Sequence, residues 1–502
     1  MRFLFVSPPH AGFDRNIKPQ PTFTVSRIPC ISGIVLAAYL RKFGHKCYVV
    51  DGNRITHQFG KIRHLTYKEM WRQATKFNPD IIGVTMLTAD FYECKKTIEI
   101  FRQTFPKALI VAGGPHASGD PTSTLTQIPE LDGVGIGPGE EICLDLADGN
   151  KHISEIEGYA YMDGGEVFFN KKRYVGEDID KFPFPAWDLI DGHYYSELNY
   201  ETAFGLLTRS LPVLTSRGCP HACYFCSSRW NQPLRRHSAR YVVNHCKHLV
   251  QTYPINTVAF WDDSIGIIRK HIEKICELFI ESDLNKRVNW ICQLRATHVE
   301  ANLLSLMKEA GCVKIHFGAE SGTNRILKVL RKNTTLSQNV KAADMILDSE
   351  IGLGLSVMLG CPTETEGEMR STIDFCECYP EAHIGIGRFC PLPGSPAYKE
   401  FVEKGILNPK TVNWELLGNF SEAKGPYFGG AMPKQRFQKF LRSAQRHFWK
   451  RNMDNLVRRY KNEYSEILQL CYPKPSVPKR LFKKTLPISI QNIVKKAVSY
   501  VI

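Results

Sequence analysis

Two separate runs of strand–helix alternation constrain this chain more than any other feature. In the first, "RFLFVS" (2–7), "HKCYVVD" (45–51), "DIIGVTML" (80–87) and "ALIVAGG" (108–114) are short apolar segments of strand length. Helical stretches separate them: "CISGIVLAAYLRKFG" (30–44) ends on a glycine stop, and "ADFYECKKTIEIFRQTFP" (89–106) precedes the fourth strand. Apolar strands divided by helices predict an α/β fold with a Rossmann-like, doubly wound parallel sheet. The second run holds "PVLTS" (212–216), "TVAFWDDSIG" (257–266), "VNWICQLRA" (288–296), "VKIHFGAES" (313–321), "GLGLSVMLGCP" (352–362) and "HIGIGRFCPLPGSP" (383–396). Six strand–helix units are too many to extend the first sheet, and they predict a closed or partly closed (β/α)6 barrel. Between the runs, "GYAYMDGGEVFFN" (158–170) reads as a hairpin and "DKFPFPAWDLID" (180–191) as a proline-punctuated connector. The expected division is 1–150, a hairpin and linker over 151–209, a barrel over 210–405, and a basic, mainly helical region over 406–502.

Parallel sheets bind ligands at the carboxyl ends of their strands. In the first run those ends carry His10 after Ser7-Pro8-Pro9, Asp51, Thr85, and Gly113-Gly114-Pro115-His116. A further turn, "DGVGIGPGEE" (132–141), sets Gly137 and Gly139 before a helix that starts near Glu140. Glycines there let a backbone approach a bulky ligand, although the spacing is not that of a dinucleotide fingerprint.

The second run opens on "TSRGCPHACYFCSSRW" (215–230), which sets Cys219, Cys223 and Cys226 in a C-x3-C-x2-C pattern. Structural zinc wants four closed ligands, commonly from two C-x2-C knuckles, and no second knuckle follows. Three thiolates can instead hold three corners of a 4Fe–4S cubane and leave its fourth iron open. On spacing alone both readings stand.

The wider pattern resembles the radical S-adenosylmethionine (radical SAM) enzymes that carry a cobalamin-binding domain. "CPHACYFC", with Phe225 before its last cysteine, resembles the superfamily's cluster loop. "FWDDSIG" with Asp262 and Asp263, "CQLRA" with Arg295, and "GAESGTNRILKVLRK" with Glu320 and Ser321 resemble the strand ends that help to hold SAM. "MLGCPTETEGE" and "PLPGSPAYKEFVEKG" resemble two later motifs, in order, over roughly residues 210–405. The resemblance implies a 4Fe–4S cluster on Cys219, Cys223 and Cys226, with SAM on its open iron. Reductive cleavage of SAM would then give a 5′-deoxyadenosyl radical, which abstracts hydrogen from unactivated carbon. Cys361 stands where an apolar residue is usual and Thr363 where glycine is usual. Cys361 and Cys390 are expected to be buried thiols, with an auxiliary radical or ligand role as the alternative.

Residues 1–150 resemble the cobalamin-binding domain of the same enzymes, through "DIIGVTML", "AGGPHAS" and "GPGEE". The cobalamin contacts this implies are His10, Asp51, Thr85, Gly113, Gly114, His116, Gly137, Gly139 and Glu140. In "DGNRIT", Asp51 matches the motif that supplies a histidine to cobalt, but Asn53 stands at the histidine position. A lower histidine ligand is therefore not expected.

Charge falls almost wholly on the tail. Residues 431–502 hold 17 Lys and Arg against 3 Asp and Glu, a net +14 of the chain's +15. Phe437, Phe440, Leu441, Ala444 and Phe448 form one apolar stripe, and Ile490, Ile493, Val494, Ala497, Val498 and Val501 form a second. Such helices suit either an anionic membrane surface or packing on the barrel. Nucleic acid ranks last, because no RNA-binding module accompanies the charge. No run reaches the length that spans a bilayer, and "MRFLFVSPPH" reads as a strand rather than a signal peptide. With 16 mostly scattered cysteines, the expected compartment is a reducing cytoplasm, peripheral to the membrane if the tail binds it.

The leading expectation is an enzyme that transfers a methyl group to unactivated carbon of a small-molecule or lipid-like substrate, fed by a reductant such as flavodoxin or ferredoxin. The alternative within the same fold is a cyclase or ring-rearranging enzyme of the magnesium-protoporphyrin ester cyclase type. An alternative of another class is a zinc-stabilised scaffold with a basic tail.

Overall fold

The computed structural model describes residues 1–10, 29–59, 62–174, 176–196, 199–201, 204–227 and 233–460. The first strand run forms a seven-stranded sheet from β1 (Arg2–Ser7), β2 (Lys46–Asp51), β3 (Ile81–Thr85), β4 (Leu109–Gly113), β5 (Gly133–Gly135), β6 (Tyr159–Asp163) and β7 (Glu166–Phe169). Its order is β2-β1-β3-β4-β5-β6-β7. The first five strands run parallel, and β6 and β7 are antiparallel. The chain reverses direction across the sheet at β1, which opens a crevice between the carboxyl ends of β1 and β3. Leu4 and Val6 pack on one face of the sheet and Phe3 and Phe5 on the other, which explains why β1 is apolar throughout. The hairpin of β6 and β7 extends this sheet instead of standing in a linker, because β5 is short and leaves an edge to be paired.

The connector that follows is pinned down. Trp187 is buried, and its indole Nε1 donates to His245 Nε2 at 3.0 Å. Phe184 stacks on the same imidazole, 4.6 Å between centroids. His245 thus accepts through one nitrogen in a dry site, and burial holds its pKa down to about 3. His116, in the first domain, is held to about 3 by burial as well. Both folded values lie below the ordinary value near 6.5, so the unfolded chain binds these protons first as pH falls. Stability from these rings is complete above about pH 6.5 and drains away towards pH 3, with about 2 kcal/mol at stake per ring at pH 5. The midpoint of urea unfolding is expected to fall between pH 7.5 and pH 5; an unchanged midpoint would show that neither ring is held neutral.

The second run forms a six-stranded, wholly parallel sheet in sequential order. Its strands, one to six, are Ser210–Val213, Thr257–Phe260, Asn289–Gln293, Cys312–Glu320, Gly352–Leu359 and His383–Arg388. Three of the intervening helices start on a side-chain cap, at Ser238, Thr335 and Thr365, as does the helix after strand six, at Ser395; Thr335 and Thr365 form capping boxes with Gln338 and Glu368. Among the described residues strands one and six do not pair, so the barrel is partial.

The open side is managed by the helix Lys434–Tyr460. Asn452 accepts from Ile384 N at 3.0 Å and donates to Ile384 O at 2.8 Å, which satisfies the free edge of strand six. At the far end Tyr460 meets the backbone of Leu207, which precedes strand one. The predicted stripe faces the barrel: Phe437 and Leu441 pack with Leu359 and Met369, and Phe448 joins the main core. For this helix, packing overturns the membrane reading. Asn452→Ala should cost about 1–3 kcal/mol by orphaning two edge groups, read as a lowered urea midpoint. The second stripe, at 490–501, and the proline-rich basic spacer lie outside the described residues. Among those described, no helix is long and apolar enough to cross a membrane.

Candidate active site

The carboxyl ends of both sheets face one cavity of about 560 Å³. From the first sheet it is lined by Thr85, Gly113, Gly114, Gly137, Gly139 and Glu140, and from the barrel by Ser216, Arg217, Gly218, Trp261, Asp262 and Asp263. Its inner wall is apolar, built from Phe3, Phe5, Val84 and Val111 of the sheet and Leu36 and Ile142 of the covering helices. The glycines divide into two roles. Gly114 has φ +95°, and a Cβ there would lie 3.0 Å from the backbone N and O of Met86, so only glycine suits the turn. A Cβ on Gly113 would meet nothing within 4 Å, so this position borders open space.

Three of the first domain's sequence candidates do not line the cavity, and on the barrel side Cys219, Cys223, Cys226, Phe225, Arg295, Glu320 and Ser321 do not line it either. His10 bonds through Nδ1 to Asp90 at 2.9 and 3.0 Å. Burial opposes its charge, yet Asp90 raises its pKa. Asp51 accepts from Asn53 N, Arg54 N and the Tyr194 hydroxyl, which fixes the end of β2 against the connector. His116 is fully buried between Phe91 and Trp414, with Nδ1 at 3.1 Å from Thr88 Oγ1. Trp414 arrives from a segment almost 300 residues later, so nothing near His116 in sequence announced that packing. No histidine lines the cavity among the described residues, and Asn53 is buried on the helix Gly52–Gln58.

On the barrel side, Cys223 is buried and Cys219 and Cys226 are half-buried in the loop after strand one. Burial raises the Cys219 thiol. Asp262 braces this loop. Its carboxylate, buried and pushed up in pKa by that burial, accepts from Thr215 N and Oγ1 and from Ser216 Oγ. Arg295, after strand three, sets Nη1 3.6 Å from Cys223 Sγ and donates through Nη2 to Lys332 O. Lys332 in turn pairs with Glu320 at 2.7 Å, a buried ion pair at the end of strand four. Glu320 has φ +65°, a left-handed conformation that turns the chain out of the strand. The structure thus joins Cys223, Arg295 and Glu320 through Lys332. Ser321 is buried on Thr372 and Thr323, and Phe225, partly buried, packs against the core cluster that holds Tyr224 and Phe389. Among the described residues no three His, Cys, Asp or Glu side chains converge on a point that one metal ion could occupy. A cubane places no such demand, since each thiolate takes a separate iron.

The cavity and the loop together carry features that single-residue reading missed. Arg217 forms an ion pair with Glu140 across the two sheets, and its guanidinium lies 4.9 Å over the Phe182 ring. A lone arginine between a strand and a cysteine motif gives no sequence signal. His221, inside the loop, is held to about pKa 4 by burial and then by Arg295, and its Nε2 is buried with no partner among the described residues. Arg388 caps the carbonyls of Leu416, Leu417, Asn419, Glu422 and Pro426 and so holds that segment beside the barrel mouth. Cys361 and Cys390 are buried thiols outside the cavity, both pushed up by burial, Cys390 to about 11. Thr363 has φ +62°, which explains why glycine is usual there; Arg325 holds its carbonyl at 2.7 Å.

Residues 213–376 match the family model of the radical SAM superfamily, and residues 31–147 match that of the B12 binding domain. The chain belongs to the radical SAM enzymes that carry a cobalamin-binding domain. The scaffold reading falls with that assignment. A methyltransferase of Pyrococcus horikoshii, itself uncharacterised, is 27% identical over 387 residues, 76% of this chain and 80% of that protein. The anaerobic magnesium-protoporphyrin IX monomethyl ester cyclase of Rubrivivax gelatinosus is 26% identical, over 80% of this chain and 70% of that one. Among solved structures, the cobalamin-dependent radical SAM enzyme OxsB, with aqua-cobalamin and SAM bound, superposes with TM-score 0.69 at 16% identity, over 99% of this chain and 75% of that one. The methyltransferase TsrM of Kitasatospora setae gives 0.62 at 16%, over 80% and 75%. Radical SAM chemistry requires a thiolate set beside an open mouth, and cobalamin a broad cradle without side chains in the way. The loop of Cys219, Cys223 and Cys226, and the glycine-edged cavity beside it, fit both.

Proposed function

We propose that this enzyme transfers a methyl group from SAM to an unactivated carbon of a small-molecule acceptor. The observation that carries this reading is the shared cavity: Gly113, Gly114 and Gly139 of the B12-binding sheet and Gly218, Asp262 and Asp263 of the radical SAM barrel border the same space. A group transferred between the two cofactors would not have to cross protein.

Each of the chain's own groups has a task in this reading. Cys219, Cys223 and Cys226 would hold the 4Fe–4S cluster, which supplies the electron that cleaves SAM. Arg295 sets its guanidinium against Cys223 Sγ, where it would offset negative charge on the loaded loop. Glu320, paired with Lys332, offers an acceptor for SAM's cationic or hydroxyl groups. Asp262 fixes the approach of the cluster loop. Gly113, Gly114, Gly137 and Gly139 would cradle cobalamin, the methyl carrier, against the apolar wall. Arg217 and Glu140 clamp the two sheets so that the cavity keeps its width.

The acceptor is a small molecule, and the reaction draws on an external reductant such as flavodoxin or ferredoxin. A lipid-like acceptor at a membrane face rests on the basic, amphipathic sequence of residues 480–502; co-sedimentation with anionic liposomes, with and without that segment, tests it. For the chemistry itself, the reconstituted enzyme should be turned over with methyl-labelled SAM and a reductant. Each labelled product should accompany one S-adenosylhomocysteine and one 5′-deoxyadenosine, since one SAM gives the methyl and another the radical. 5′-Deoxyadenosine with an unlabelled, ring-altered product would replace this reading with the cyclase type.

A further inference from the structure

The opposite end of the barrel holds a second cavity, of about 450 Å³. It lies at the amino ends of strands four, five and six, where Lys314, Gly352 and His383 line it, and the helix Lys434–Tyr460 covers it with Leu456 and Arg459. This end of such a barrel is normally filled for stability, and a cation has no ordinary place there.

Lys314 is the anomaly. It is only 3% exposed, and it has neither a hydrogen bond to its ammonium nor a carboxylate partner among the described residues. Its stem runs over Gly352, where a Cβ would lie 3.3 Å from Lys314 Cδ, so the glycine leaves room for the side chain. Arg459, a like charge that lines the same cavity, acts on it. Burial, and then Arg459, holds the Lys314 amine down to about 7. Arg458 and Glu381 also line the cavity, but they lie 3.7 Å apart and offset each other, both side chains are largely exposed, and Arg458 also donates to Asn455. His383 completes the lining from strand six. A buried ammonium without a partner is costly, and two cations facing one cavity are relieved together by one anion.

We propose that this cavity binds a small phosphate-bearing molecule, with Lys314 gripping the phosphate inside and Arg459 closing on it from the rim. Phosphate matches the donor set because it offers several acceptor oxygens at once to an ammonium and a guanidinium. The cavity volume lies within the range of ordinary small-ligand pockets and exceeds the ion alone, so an organic remainder has space. The site is remote from the cluster loop and does not depend on the proposed methyl transfer.

Isothermal titration of the full-length protein with inorganic phosphate, and separately with pyrophosphate, tests this at pH 7.5. One saturable site per chain is expected. Binding should draw a proton onto Lys314, so the measured heat should vary with the ionisation enthalpy of the buffer. Lys314→Met, which keeps the stem and removes the charge, should weaken binding at least about tenfold and abolish the buffer dependence. Arg459→Gln, exposed and indifferent for folding, should weaken binding several-fold and keep the buffer dependence. If neither anion gives saturable heat, or if binding survives Lys314→Met unchanged, the proposal is wrong, and Lys314 is simply a buried neutral amine.

Discussion

Replacing Cys223 by alanine is expected to abolish SAM cleavage: no 5′-deoxyadenosine should form, and the protein should reconstitute with only a small part of its iron. Cys223 is the buried member of the three thiols and the one that Arg295 touches. On the proposed assignment its loss removes one corner ligand and leaves the guanidinium facing a methyl group. The fold should persist, because Tyr224 beside it stays tied by backbone bonds to Leu330 and Ala397, each at 2.9 Å. Far-UV circular dichroism and retained corrinoid binding would confirm that. Cys361→Ala is the matched control, since that thiol is buried too but stands outside the C-x3-C-x2-C loop and bonds to Met358 O; it should keep both cluster and cleavage. Cleavage retained by the Cys223 variant, or lost equally in the Cys361 variant, would move the cluster elsewhere.

The second large effect comes from the other wall. Gly113→Phe should fill the cobalamin cradle without disturbing the sheet, because a Cβ there meets nothing within 4 Å and the residue is not among those with positive φ. Corrinoid affinity should fall at least about a hundredfold, or about 2.7 kcal/mol. Methyl transfer should disappear while SAM cleavage continues. The neighbouring Gly114 would be a poor choice, because its backbone conformation and the nearby Met86 backbone would confuse loss of fold with loss of binding. Unchanged corrinoid affinity in Gly113→Phe would mean that this cavity is not the cradle.

Both sheets were legible in the sequence because parallel strands buried on two faces leave unbroken apolar runs. The glycines at 113, 114, 137 and 139 were legible for a related reason: the strand-end rule locates a binding edge without any knowledge of partners. That rule does not say towards which side a strand-end residue turns. His10, Asp51 and His116 share the edge with those glycines, yet Asp90, Tyr194 and Trp414 take them elsewhere. The apolar stripe of Phe437 and Leu441 had the same ambiguity, since a membrane and a barrel ask for one periodicity. Leu359 and Met369 decide it, and neither is near it in sequence. Arg217 and Lys332 were invisible because their roles arise only when Glu140 and Glu320 are brought to them.

The central claim is that one cavity serves both cofactors, and magnetic relaxation tests it most directly. With cluster and corrinoid both loaded, the paramagnetic cobalt signal should relax faster when the cluster is reduced, and Cys223→Ala should remove that effect. A cobalt signal that relaxes identically with the cluster oxidised and reduced, at full occupancy of both, would contradict the account.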